Sequence, residues 1–139
     1  MNISARCEYA FRAVLDLALQ AHEQGEKPVT AMRIAERRSI PEKYLVHILL
    51  QLKREGIVRS IRGAQGGYLL AQKADSITLL DVVSAVDGPI LDPLPVAGRG
   101  SEDLEEVWKS VSNGVSGVLG EVTLQSVLDS RRDAGMYFI

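Results

Sequence analysis

Between residues 4 and 22 the apolar side chains recur at helical spacing, with Tyr9, Ala10, Ala13, Val14, Leu17, Ala18 and Ala21 sharing one face. Ser4 stands ahead of this run as its N-cap, and Glu23, Gln24 and Gly25 close it. Thr30 caps a second, short helix over Ala31–Arg38 that turns Ile34 and Ala35 inward. Ser39-Ile-Pro41 makes a turn. Pro41 has no N–H to donate and fits the first turn of a third helix, where Glu42 complements the dipole. That helix extends to about Glu55, with Gly56 as its stop.

The third helix has readable faces. Tyr44, Leu45, Ile48, Leu49 and Leu52 form an inward stripe, while Lys43, Val46, His47, Leu50 and Arg54 lie outward or on the flanks. An outward valine is either an ordinary scattered surface residue or one that packs on thymine methyl groups in a DNA groove. Two β-type runs follow, over 57–61 and 68–70, around a turn holding Gly63, Gly66 and Gly67. This pattern predicts a β-hairpin with glycines where the chain takes positive φ, and with Arg62 and Gln65 at its tip. Helix–turn–helix followed by such a hairpin is a winged helix, an arrangement whose usual ligand is duplex DNA. The expected fold class is mainly α (α+β).

Beyond the hairpin, Thr78-Leu-Leu-Asp81 has the form of a capping box with Asp in place of Glu. It opens a helix carrying Leu79, Val82, Val83 and Val86, closed by Asp87-Gly-Pro89. Residues 88–100 hold three prolines and three glycines and read as an ordered loop. A long helix then starts at Ser101, with Leu104, Val107, Trp108, Val111, Val115, Val118 and Leu119 along one face. That stripe pairs with a second copy of the chain or packs on its own domain. Gly114, Gly117 and Gly120 either allow close helix approach or mark a break. Thr123 caps a last short helix, and after a flexible Gly135 the chain ends Met136-Tyr-Phe-Ile139. The expected division is a DNA-binding domain over 1–87, then a loop, dimerisation helix and tail over 88–139.

Net charge is −2, but it is unevenly placed. Residues 1–75 carry twelve Lys/Arg against eight Asp/Glu, and residues 76–139 carry four against ten. A basic front half suits phosphate, although solvated surface gives the same count. Hydrophobic residues make up 46% of the 139, enough for a core. No apolar run reaches the length of a membrane span or leader, and Cys7 is the single cysteine, so a reducing cytoplasm is the expected location. His22 and His47 lie on separate helices with no nucleophile spaced for a triad, and no Walker, dinucleotide or metal-ligand spacing occurs. An enzyme is not expected.

Four segments together resemble the Rrf-type winged-helix transcription regulators. They are Ser4-Ala-Arg-Cys-Glu-Tyr-Ala10, Ile40-Pro-Glu-Lys-Tyr-Leu45, Arg62-Gly-Ala-Gln-Gly-Gly-Tyr-Leu-Leu70 and Val83-Ser-Ala-Val-Asp-Gly-Pro89. The resemblance implies a homodimer crossed through Leu104, Val107, Trp108, Val111 and Val115, bound to a roughly palindromic operator. It implies phosphate contact by Arg6, groove contacts by Lys43, Tyr44, Val46 and His47, and wing contacts by Ser60, Arg62 and Gln65. Many relatives carry Glu at the place of Val46; Glu accepts from cytosine N4, so its loss implies a different operator.

Iron–sulfur members of the family hold their cluster through three cysteines in the loop that here spans 88–103, which has neither cysteine nor histidine. The expectation is therefore a cofactor-free repressor nearest the cysteine-metabolism branch. Cys7 is read as a small buried side chain, or as an oxidant sensor if Arg6 lowers its pKa. A winged helix used only for protein interaction is the alternative from another class. The C-terminal Ile139 either packs on the dimer or resembles the tail that serine acetyltransferases insert into O-acetylserine sulfhydrylase (cysteine synthase), an enzyme associated with that branch.

Overall fold

A computed structural model of the chain describes residues 2–91, 100 and 102–137, with side chains described through Arg131. Helix α1 (Ala5–Gln24) starts where the Ser4 hydroxyl accepts the Cys7 N–H at 3.0 Å. Helix α2 (Ala31–Arg38) is capped by Thr30, whose hydroxyl accepts the Arg33 N–H at 3.3 Å. Helix α3 (Glu42–Arg54) begins one residue later than expected. Pro41 stands at its N-cap, with a carbonyl that accepts from Tyr44 and Leu45.

Leu45, Ile48, Leu49 and Leu52 of α3 are fully buried against Val14 and Leu17 of α1, Ile34 of α2 and Val82 of the fourth helix. Each such side chain contributes about 1.5–3 kcal/mol by leaving water. Tyr44 does not belong to that stripe: it is 57% exposed. At 3.6 residues per turn it falls about 40° outside the arc spanned by the four buried side chains.

Strands β1 (Val58–Ile61) and β2 (Gly67–Leu70) pair antiparallel, Val58 opposite Leu70 and Ile61 opposite Gly67. The glycines of the turn have different reasons. Gly63 takes φ of 115°, whereas Gly66 has no room for a Cβ, which would lie 2.1 Å from the Ile61 carbonyl oxygen. Gly67 lies against Val29, which exchanges both backbone hydrogen bonds with Tyr68 at 3.0 and 2.7 Å. This bridge ties the α1–α2 connection to the base of the wing.

Helix α4 (Leu79–Val86) opens with both halves of the Thr78–Asp81 capping box, at 2.9 and 3.1 Å. Helix α5 (Glu102–Glu121) runs unbroken through Gly114, Gly117 and Gly120 and has no buried residue. Helix α6 (Leu124–Tyr137) starts at a reciprocal Thr123–Ser126 cap and returns to the core through Leu124 and Leu128. It is not short, and Gly135, read from the sequence as a flexible joint, lies inside it. Backbone bonds from Leu79 to the Val122 carbonyl and from Leu124 to the Ile77 carbonyl, both 2.9 Å, fasten this return. Residues 92–99 of the loop, and Phe138 and Ile139 of the tail, lie outside the described residues.

Candidate nucleic-acid interface

The core stripe of α3 determines what its other face presents. With Leu45, Ile48, Leu49 and Leu52 turned inward, Lys43, His47, Leu50 and Arg54 fan out on the opposite side, with Val46 and Tyr44 at either edge. Val46 is 49% and Leu50 44% exposed, so apolar side chains stand beside the cations on this face. On the wing, Ser60, Arg62 and Gln65 are all exposed. Lys43, Lys53, Arg54 and Arg62 make no ion pair among the described residues, which leaves their charge available to an anion.

Arg6, from the first turn of α1, donates to the Gln51 side chain and so lies against the flank of α3. The eight residues expected at DNA thus occupy three elements: α3, the wing and the start of α1.

The network that orients α2 and α3 was not visible in the sequence reading. Asp16, 1% exposed in the middle of α1, accepts from Arg37 Nε and Nη2 at 3.1 and 2.8 Å and from Arg38 Nε at 3.2 Å. The bond to Asp16 holds the Arg37 guanidinium above its ordinary pKa. Arg12 donates to the carbonyls of Arg38 and Ser39 and stacks over Tyr9, 5.5 Å from its ring centre. Ser39 itself takes φ of 53°, the left-handed region, so these contacts brace the strained residue of the turn. One signal was available: Asp16 falls on the apolar face of α1, where a lone carboxylate requires a cationic partner.

Cys7 is fully buried below this surface. Burial first, then the charges of Asp87 and Glu8 and a hydrogen bond to Asp87, push its thiol up to about 12. Arg6 does not activate it, because that guanidinium points to Gln51 instead. A thiol held protonated well above neutral pH is a poor nucleophile, which removes the basis for oxidant sensing through Cys7.

Among the described residues no group of three or more His, Cys, Asp and Glu could hold a metal ion, and no helix is long and apolar enough to cross a membrane.

The chain was compared with known proteins. It is 33% identical to the HTH-type transcriptional regulator CymR of Bacillus subtilis, with all of both chains covered. The solved structure titled as that CymR, the global cysteine regulator of B. subtilis, superposes with a TM-score of 0.78 at 30% identity, covering 94% of this chain and 98% of that one. IscR of T. potens gives 0.76 at 30% identity over 96% and 90%. These relatives are transcription regulators and not enzymes. The model of a family described as "Rrf2: Iron-dependent Transcriptional regulator" matches residues 3–130, and the chain belongs to that family of DNA-binding helix–turn–helix transcription regulators.

Proposed function

We propose that this protein is a homodimeric repressor that reads its operator with α3 in the major groove and the Arg62 wing in the adjoining minor groove. The observation that carries the reading is the pairing of an exposed, cation-bearing α3 face with a glycine-framed wing whose Arg62 has no ion pair among the described residues. On this reading Arg62 enters a narrow minor groove, where negative potential is enhanced. Lys43, Tyr44, Val46 and His47 meet base edges, Ser60 and Gln65 approach the backbone from the wing, and Arg6 meets phosphate.

The dimer is supported by α5. Leu104, Val107, Trp108 and Val111 are between 39 and 49% exposed, with Val115 half-buried. A stripe of that size left open in one protomer suits a second copy. A dimer seated across its operator blocks transcription by occupancy, the proposed mode of repression, in the cytoplasm where the DNA lies.

Iron–sulfur chemistry does not fit the donors present. One cysteine, buried with its thiol held protonated, cannot replace a set of thiolates, so the protein works without a cluster. Cluster-free action, with full-length likeness to a cysteine regulator, favours control of cysteine or sulfur metabolism. O-acetylserine sulfhydrylase is the proposed protein partner, with Ile139 as its contact. Calorimetry against that enzyme should show heat for the full chain and none for a variant ending at Phe138; equal binding by both, or none by either, removes the tail contact.

For DNA, titration of duplexes at 50 and 200 mM salt should show affinity falling steeply, because each neutralised phosphate adds about 0.9 to the logarithmic slope. Arg62→Ala should cost about 1–3 kcal/mol of operator binding with fold and mass unchanged. Unchanged affinity would remove Arg62 from the interface.

A further inference from the structure

The Val29–Tyr68 bridge brings the start of α2 against the wing, and a cavity of about 420 Å³ opens between them. Lys27, Thr30, Arg33 and Arg37 form one side of it, and Gln65 and Gly66 of the wing tip form the other. Among the described residues no aspartate or glutamate lines it. Lys27 and Arg33 make no ion pair among the described residues, and Arg37 has its carboxylate, Asp16, on the side away from its third nitrogen. Lys27 and Arg33 therefore give the concavity a positive potential, beside an Arg37 already paired by Asp16. The N-terminal end of the α2 dipole adds to that positive potential. Such an arrangement is relieved by one class of occupant, an anion with several acceptor oxygens.

Position selects the source of that anion. The wall opposite the cations is the wing tip itself, three residues beyond Arg62. On the DNA-binding reading, Arg62 in a minor groove brings the flanking backbone to the wing tip that forms this wall. We propose that the cavity seats a phosphodiester of that backbone, gripped by Lys27 and Arg33 and lined by the Asp16-anchored Arg37. The inference rests on the DNA-binding reading and adds to it two contact residues outside the recognition helix and wing. Being phosphate contacts, they set position and overall affinity without choosing sequence.

The test uses the full chain carrying Lys27→Ala and Arg33→Ala together, with Lys27→Gln/Arg33→Gln as the second variant and Lys109→Ala, on α5, as a control for loss of a remote cation. Both positions are exposed, and circular dichroism with thermal melting checks the fold. Affinity for random and for operator duplexes is measured by anisotropy from 50 to 200 mM salt. The double variant should bind every duplex about tenfold or more weakly near 0.1 M salt, with a logarithmic slope shallower by about 2 for a dimer losing one phosphate per protomer. The ratio of operator to random affinity should stay at the wild-type value, and Lys109→Ala should change neither quantity.

A wild type that binds steeply with salt while both double variants keep its slope overturns this inference and leaves the DNA reading standing. A wild type with no salt-dependent duplex binding overturns both. Melting in millimolar inorganic phosphate supplies the remaining arm. Stabilisation of the wild type and not of the double variant, with DNA slopes equal, assigns the cavity to a free anion and overturns the phosphodiester.

Discussion

Raising the pH from 7 to 10.5 should cost the wild-type protein stability that a Cys7→Ala variant keeps. In the folded state the thiol is pushed up to about 12 by burial and by Asp87, against 9.0 for an unperturbed cysteine. Between those values the unfolded chain loses its proton and the folded chain retains it. The contribution of the protonated thiol is therefore complete below pH 9 and drains away as pH climbs toward 12. At 1.36 kcal/mol per unit, the wild type should lose about 2 kcal/mol by pH 10.5 and about 4 kcal/mol by pH 12 relative to a chain without the thiol. Removing the buried sulfur has its own packing cost, about 1–2 kcal/mol at pH 7. Urea unfolding of both proteins at pH 7, 9 and 10.5 reads the difference directly. The wild type should lead at pH 7, and the gap should close or invert by pH 10.5. Curves that stay parallel to within about 0.5 kcal/mol would refute the assigned environment of Cys7, and rapid native-state labelling by iodoacetamide at pH 7.5 would reopen its use as a sensor.

Two further perturbations probe the supports of the interface. Asp16→Ala should destabilise by about 2–4 kcal/mol, below the cost of a fully enclosed pair, because the Arg37 and Arg38 side chains are 35% and 21% exposed and rehydrate. A loss under about 1 kcal/mol in denaturant titration would show that the network carries little. Val111→Asp places a charge on the exposed stripe of α5 and should convert a dimer to a monomer in sedimentation; an unchanged mass assigns the interface elsewhere.

Elements governed by near neighbours in sequence were legible, and contacts between distant segments were not. Ser4, Thr30 and Thr78 announced their helices because a cap acts within three residues of itself. The buried stripe of α3 followed from a period of 3.6, and the hairpin from its glycines. Tyr44 is misplaced by its chemistry and not by the period, since an aromatic beside a stripe is apolar enough to count as core. Gly66 and Gly67 were recognised as turn residues, yet their main constraint is the approach of backbone from Ile61 and Val29, which no local pattern encodes. The return of α6 to the core depends on bonds between residues 77–79 and 122–124, some forty-five positions apart.

The interface divides along the same line. Groove-facing residues of α3 could be named in advance because exposing one face of a helix is the complement of burying the other. The wing tip was legible because Arg62 sits among glycines. What positions them is less local: the place of Asp16 on the apolar face of α1 calls for a cation, but only folding shows that Arg37 and Arg38 supply it. Lys27 and Arg33 likewise became candidates only when the Val29 bridge drew α2 to the wing. A charged residue in the chain is uninformative alone. It acquires meaning when folding either supplies its counter-ion, as for Asp16, or gathers like charges and leaves two of them, Lys27 and Arg33, without one among the described residues.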